Sequence, residues 1–131
     1  MKSLLIVTAL LETATGAALM ASPSVPVSLL LGASLDTLAG LAVARVAGAA
    51  LLSLGLACWL TRHDGQSRPG RAVVAAMSFY DIAVAAVLVH GSLGAGAAGV
   101  GLWPTVGLHS ALAVWCIACL ATGVRSSLVA G

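Results

Sequence analysis

Four ionisable residues stand in the middle of otherwise apolar stretches: Glu12, Arg45, Asp81 and His109, with Tyr80 beside Asp81 and His90 nearer the end of its stretch. A charge at the centre of a bilayer costs about 2.5 to 3.5 kcal/mol on insertion scales, so such groups normally turn inward and pair. Two carboxylates with one arginine leave an acid free to exchange a proton or to hold a cationic or polar ligand. A plainer reading has Arg45 neutralising Glu12 or Asp81 to fix helix packing, with His109 as a hydrogen-bonding partner. Both readings place Glu12, Arg45, Tyr80, Asp81 and His109 in one polar centre and leave open which acid Arg45 meets.

The stretches that carry these residues set the fold class. Of 131 residues, 60% are hydrophobic and 8% charged, and the mean hydropathy is +1.10. About 25% charged is ordinary for a soluble domain, so a soluble globular fold is excluded, as is disorder. A formal net charge of +2 is too weak to suggest a nucleic-acid partner. Ser3 to Ala21, Thr37 to Leu60, Ala72 to Leu93 and Leu102 to Gly123 are each long enough to cross a hydrocarbon core, which needs roughly 20 helical residues. Continuous Ala, Leu and Val runs differ from the alternating segments of a membrane β-barrel. The expectation is one all-α integral membrane domain over 1–131, a bundle of four transmembrane helices whose partner is the lipid bilayer. No cofactor is predicted, and no metal site, since no further ligands are suitably spaced.

Basic residues give the orientation. Lys2 precedes the first span, Arg62, Arg68 and Arg71 occupy the central loop and Arg125 follows the last span, while the other two loops hold none. Both termini are therefore expected in the cytoplasm of a bacterial inner membrane, with Trp59 and Trp103 at opposite interfaces. Lys2 followed by Ser3-Leu4-Leu5-Ile6-Val7 could open a secretory signal. Glu12 interrupts that apolar run and no Ala-x-Ala site follows, so it is read as the first membrane helix. The segment Ser22 to Gly32 is apolar but too short to span, and should lie in the interface or over the bundle mouth.

Depth and phase group the polar residues. At 1.5 Å per residue, Glu12 and Asp81 lie roughly 13 Å from one side and Arg45 and His109 roughly 10 to 12 Å from the other. His90 falls on the face opposite Asp81, outside the cluster. Glu12 shares a stripe with Gly16, and His109 shares one with Ala113 and Cys116. The small-residue blocks after Glu12 and Arg45, Gly16-Ala17-Ala18 and Gly48-Ala49-Ala50, mark faces where helices approach closely.

Several resemblances follow from these residues. Four helices with an acid in the first, in Leu11-Glu12-Thr13-Ala14-Thr15-Gly16, resemble the small multidrug resistance transporters. That implies a homodimer in which Glu12 exchanges protons for hydrophobic cations. Gly48-x-x-Leu51-Leu52-Ser53-Leu54-Gly55-Leu56, ending in Leu60-Thr61-Arg62, resembles DoxX-like bacterial membrane proteins. Leu102-Trp103-Pro104-Thr105-Val106-Gly107-Leu108-His109 resembles other small four-helix inner-membrane proteins. Cys116-Ile117-Ala118-Cys119 resembles the thiol pair in the last helix of the vitamin K epoxide reductase family, which implies quinone-linked redox work. A haem held by His90 and His109 is a further redox alternative. The commoner role of cysteines three apart on an apolar helix is as small buried hydrophobes. The leading expectation is an accessory or small-ligand-binding membrane protein, as a homodimer or in a larger membrane complex, with an enzyme the less favoured class.

Overall fold

The structure, a computed structural model, describes residues 1–129. The side chain of Arg125 lies outside the described residues. Five helices follow one another: α1 (Lys2–Ala21), α2 (Ser24–Leu31), α3 (Leu38–Thr61), α4 (Arg68–Ala95) and α5 (Leu102–Val129). Among the described residues there is no strand. Four of the helices, α1, α3, α4 and the Leu102–Thr122 part of α5, are long and apolar enough to cross a membrane. Within lipid every backbone polar group must find an internal partner, which a continuous helix supplies.

Local signals set the helix ends. The Thr37 side chain accepts from the Gly40 amide at 3.1 Å and opens α3. The Ser67 side chain accepts from the Gly70 amide at 3.1 Å, with Pro69 in the first turn where its missing N–H does no harm. This cap explains why α4 begins at Arg68 and not near Ala72, where hydropathy alone had set the span. Gly32 and Gly96 end α2 and α4 in the left-handed region, at φ 71° and 70°.

The apolar segment after α1 folds as the short helix α2 and lies against α1 and α5. Backbone bonds from the Ala98 amide to the Leu31 carbonyl (3.2 Å) and from the Gly101 amide to the Leu29 carbonyl (2.8 Å) tie it to the α4–α5 loop. One end of the bundle is thus roofed, the second of the two placements expected for that segment. At the other end Arg62 lies over the Trp59 ring, 4.0 Å from its centroid, and His63 and Asp64 are exposed in the α3–α4 turn.

The long helices form two closely packed pairs, α1 with α3 and α4 with α5, which meet each other less extensively. The first pair is fitted through small residues. A Cβ on Gly16 would stand 2.7 Å from the Gly48 carbonyl oxygen, and one on Gly48 would stand 2.8 Å from that of Gly16. Only glycine allows backbones this close, and in lipid such contact is a main source of helix association. Between the pairs lies the core: Leu4, Leu5 and Ala9 of α1, Cys58 of α3, Val74 and Met77 of α4, and Leu112 and Cys116 of α5.

Gly16→Val should therefore force α1 from α3 and lower stability by about 1–3 kcal/mol. Gly107, whose added Cβ meets nothing within 4 Å, provides the contrast, and Gly107→Ala should leave stability equal or slightly higher. Thermal melts in detergent read both, and equal melting of Gly16→Val and the parent protein would refute this account of the α1–α3 contact.

Candidate functional site

The seam between the two helix pairs collects most of the polar residues. On α1, Glu12 is 3% exposed and Thr8, one turn earlier, is 1% exposed. Both lie on the stripe that includes Leu5, Ala9 and Gly16, the face turned to α3 and the core. On α4, Asp81 is fully buried, following Val74, Met77 and Ser78 along the same face. On α5, His109 precedes the buried residues Leu112, Ala113 and Cys116.

Asp81 and His109 form the tightest contact. His109 Nδ1 lies 2.7 Å from Asp81 Oδ1, the one ion-pair contact among the described residues. A carboxylate can only accept, so Nδ1–H donates and Nε2 remains for whatever occupies the space beyond. Tyr80 stands edge-on to the His109 ring, with centroids 5.7 Å apart and planes at 79°. The Tyr80 and Glu12 side chains interact directly, and Glu12 is within electrostatic range of both His109 and Asp81.

Glu12, Tyr80 and His109 all line one cavity of about 650 Å³. Its remaining wall is mostly aliphatic, including Leu11, Leu51, Leu54, Val84, Leu88 and Leu112, and α2 contributes Pro26, Leu29 and Leu30 at the roofed end. A concave, largely apolar space with a few polar groups gathered on it is the usual form of a small-molecule site.

Four of the five residues expected in the polar centre are gathered here: Glu12, Tyr80, Asp81 and His109. Arg45 is the exception, since it is exposed on α3. The reason is helical phase. Ala44, Gly48, Leu51, Gly55 and Cys58 form the buried seam of α3, while Ala47, Ala50 and Leu54 face the cavity. At roughly 100° per residue Arg45 falls on the opposite side of the helix from those three. It lies about 10 Å along α3 from Leu38, a depth from which a long side chain extends toward the headgroup layer. Neither acid has Arg45 as its partner.

His90 is exposed on α4, apart from the cluster as its phase indicated. Cys58 and Cys116 are buried in the apolar core, Cys119 is half-buried, and all three are free thiols. Among the described residues no three His, Cys, Asp or Glu side chains gather as a metal site requires. Thr8 and Ser78, both buried, were not singled out from the sequence. The signal available was spacing, Thr8 four residues before Glu12 and Ser78 three before Asp81, which puts each on its acid's face.

No family profile matches the chain, and neither curated proteins nor solved structures give a match.

His109 and Arg45 stand in different surroundings, and stability should separate them. His109→Gln removes the imidazole that meets a buried carboxylate oxygen at 2.7 Å and should lower stability by about 1.5–3 kcal/mol. Arg45→Gln, on the outward face, should change it by no more than about 0.5 kcal/mol. Chemical or thermal unfolding in detergent measures both, and a larger loss for Arg45→Gln would overturn the assignment.

Proposed function

We propose that this protein binds a small, mainly apolar molecule within the bilayer and holds its polar head at Glu12, Tyr80 and His109. The observation that carries the reading is the 650 Å³ aliphatic cavity on which those three side chains converge. The walls suit a hydrocarbon or ring body, and the polar floor fixes its orientation. Head-group charge follows from the balance of the site: two carboxylates stand with one imidazole, and Arg45 is exposed on α3. A cationic or hydrogen-donating head is favoured over an anionic one.

The same balance favours a second reading, in which Glu12 releases a proton as a lipophilic cation enters and the protein exports that cation as a homodimer. This is the behaviour implied by the resemblance to small multidrug resistance transporters. In either case the setting we propose is the bacterial cytoplasmic membrane with both termini in the cytoplasm, on the support of Lys2, Arg62, Arg68 and Arg71.

Calorimetric titration of purified protein with tetraphenylphosphonium, and with tetraphenylborate as the anionic counterpart, tests the binding reading. The cation should bind, the anion should bind at least about tenfold more weakly, and Glu12→Gln should reduce cation affinity by about tenfold or more, the equivalent of roughly 1.4 kcal/mol. Equal affinities for the two ions, or an affinity unaltered in Glu12→Gln, would reject it. Proton release on cation addition in weakly buffered solution favours the exchange reading, and binding without release favours the simple binding protein.

A further inference from the structure

A second concave surface lies away from the seam, on the outer side of the α4–α5 pair. It is a groove of about 570 Å³ walled by Ala72 and Ala75 of α4 and by Ile117, Leu120 and Ala121 of α5, with Arg71 at its head. Ala72, Ala75, Ile117 and Ala121 are exposed. Small side chains leave this trough between two helices that are otherwise closely packed. The same helical stripes continue inward as Phe79 on α4, 76% exposed, and Val114 on α5, 67% exposed. The whole face is apolar below its one charge.

Arg71 reaches across the head of the groove from one helix to the other. Its Nη2 donates to the Leu120 carbonyl at 3.4 Å. Arg62, by contrast, stacks on the ring of Trp59 and donates to that residue's own carbonyl, while Arg45 and Arg68 are exposed. A guanidinium carries five N–H donors and keeps its charge. Arg71 meets one carbonyl and, among the described residues, no carboxylate within ion-pair distance. Its charge is therefore unanswered by the protein.

The head of the groove is also at the basic end of the bundle. Gly65 in the α3–α4 turn lies against Met1, so Lys2, Arg62, Arg68 and Arg71 share that end, with Asp64 as the acid of the turn. Arg71 stands about 4–5 Å along α4 from Arg68, at the level where an apolar span gives way to the headgroup layer. An arginine fork matches a phosphate in shape and charge, and basic recesses between membrane helices suit anionic headgroups. A zwitterionic headgroup carries its own cation and answers the arginine less well.

We propose that Arg71 and the α4–α5 groove bind one anionic phospholipid, its phosphate on the guanidinium and an acyl chain along Ala72, Ala75 and Ile117. The lipid then bridges α4 and α5 from outside, as the Arg71–Leu120 hydrogen bond does, and stabilises that pair. The site is separate from the cavity, since no residue lines both.

The test titrates delipidated protein in nonionic detergent with phosphatidylglycerol or with phosphatidylcholine of identical chains. Native mass spectrometry counts the bound lipid, and thermal unfolding reads its effect. One phosphatidylglycerol should bind per chain, raise Tm, and bind at least about fivefold more tightly than phosphatidylcholine, the contribution of one basic side chain at a membrane surface. Arg71→Gln should lose that preference. Arg68→Gln removes the same charge one turn away, outside the groove, and should keep it. Ala75→Leu fills the trough from an exposed position, so it should fold and bind both lipids more weakly. Inorganic phosphate alone should leave Tm unchanged. Equal affinity for the two lipids, a preference that survives Arg71→Gln or is lost equally in Arg68→Gln, lipid binding unaltered in Ala75→Leu, or a phosphate effect equal to that of the lipid would each overturn the proposal. The tetraphenylphosphonium titration reads the cavity alone, so the two readings fail separately.

Discussion

The backbone contact between Gly16 and Gly48 governs much of what the bundle can do. With no Cβ on either residue, α1 and α3 approach until each glycine's missing side chain would meet the other's carbonyl oxygen. In lipid, apolar surface gains little by leaving its surroundings, so helices associate through fit and through polar contact. A close fit also fixes rotation. Once Gly48 faces Gly16, Ala44, Leu51, Gly55 and Cys58 share the buried seam, Ala47 and Ala50 turn to the cavity, and Arg45 is carried to the outside. The charge composition of the interior is thus settled by two residues that carry no charge.

That rotation leaves the interior acidic. Had Arg45 faced the seam, Glu12 and Asp81 would have shared a permanent counter-ion, and the centre would have been a closed structural network. With Arg45 outside, His109 alone answers the acids, and it is committed through Nδ1 to Asp81. Glu12 is left with Tyr80 beside it and cavity before it. The aliphatic wall adds a second asymmetry: large side chains from α3, α4 and α5 enclose space without filling it. Empty volume and an uncommitted acid coincide where the two helix pairs meet, and that coincidence is what makes the seam a site and not only a joint.

The spans, their number and the roofing segment were legible because hydropathy and length report them directly, and in a membrane nothing but a helix satisfies such runs. The stripes were legible too: Glu12 with Gly16, and His109 with Ala113 and Cys116, all follow from 3.6 residues per turn. The start of α4 was not, since the cap at Ser67 and the proline behind it extend the helix into residues whose polarity reads as a turn. The rotation of α3 was illegible for a physical reason. A helix apolar on nearly every side offers no contrast from which an inward face can be chosen, and Arg45 as the single strong mark suggested the wrong one, since ions in membranes usually turn inward. The small-residue block Gly48-Ala49-Ala50 carried the better signal, because close approach constrains rotation more tightly than one charge that can extend to the headgroups.

Thr8 and Ser78 escaped notice because hydroxyls are common in membrane helices and normally vanish into their own backbone. The meaning of Thr8 depends on what it fails to do, and sequence does not record an unmade bond. The structure separates Thr8 from Ser53, Thr61 and Thr122 on that ground alone. The same reasoning applies to Asp81, whose two oxygens have unequal surroundings although the residue is uniformly buried. A polar group in a dry interior is defined by its partners, so two side chains of equal burial can be inert or reactive according to how many of their lone pairs are answered. By that measure His109 closes one half of Asp81 through Oδ1 and leaves Oδ2 unanswered, so one buried carboxylate is settled on one side and open on the other.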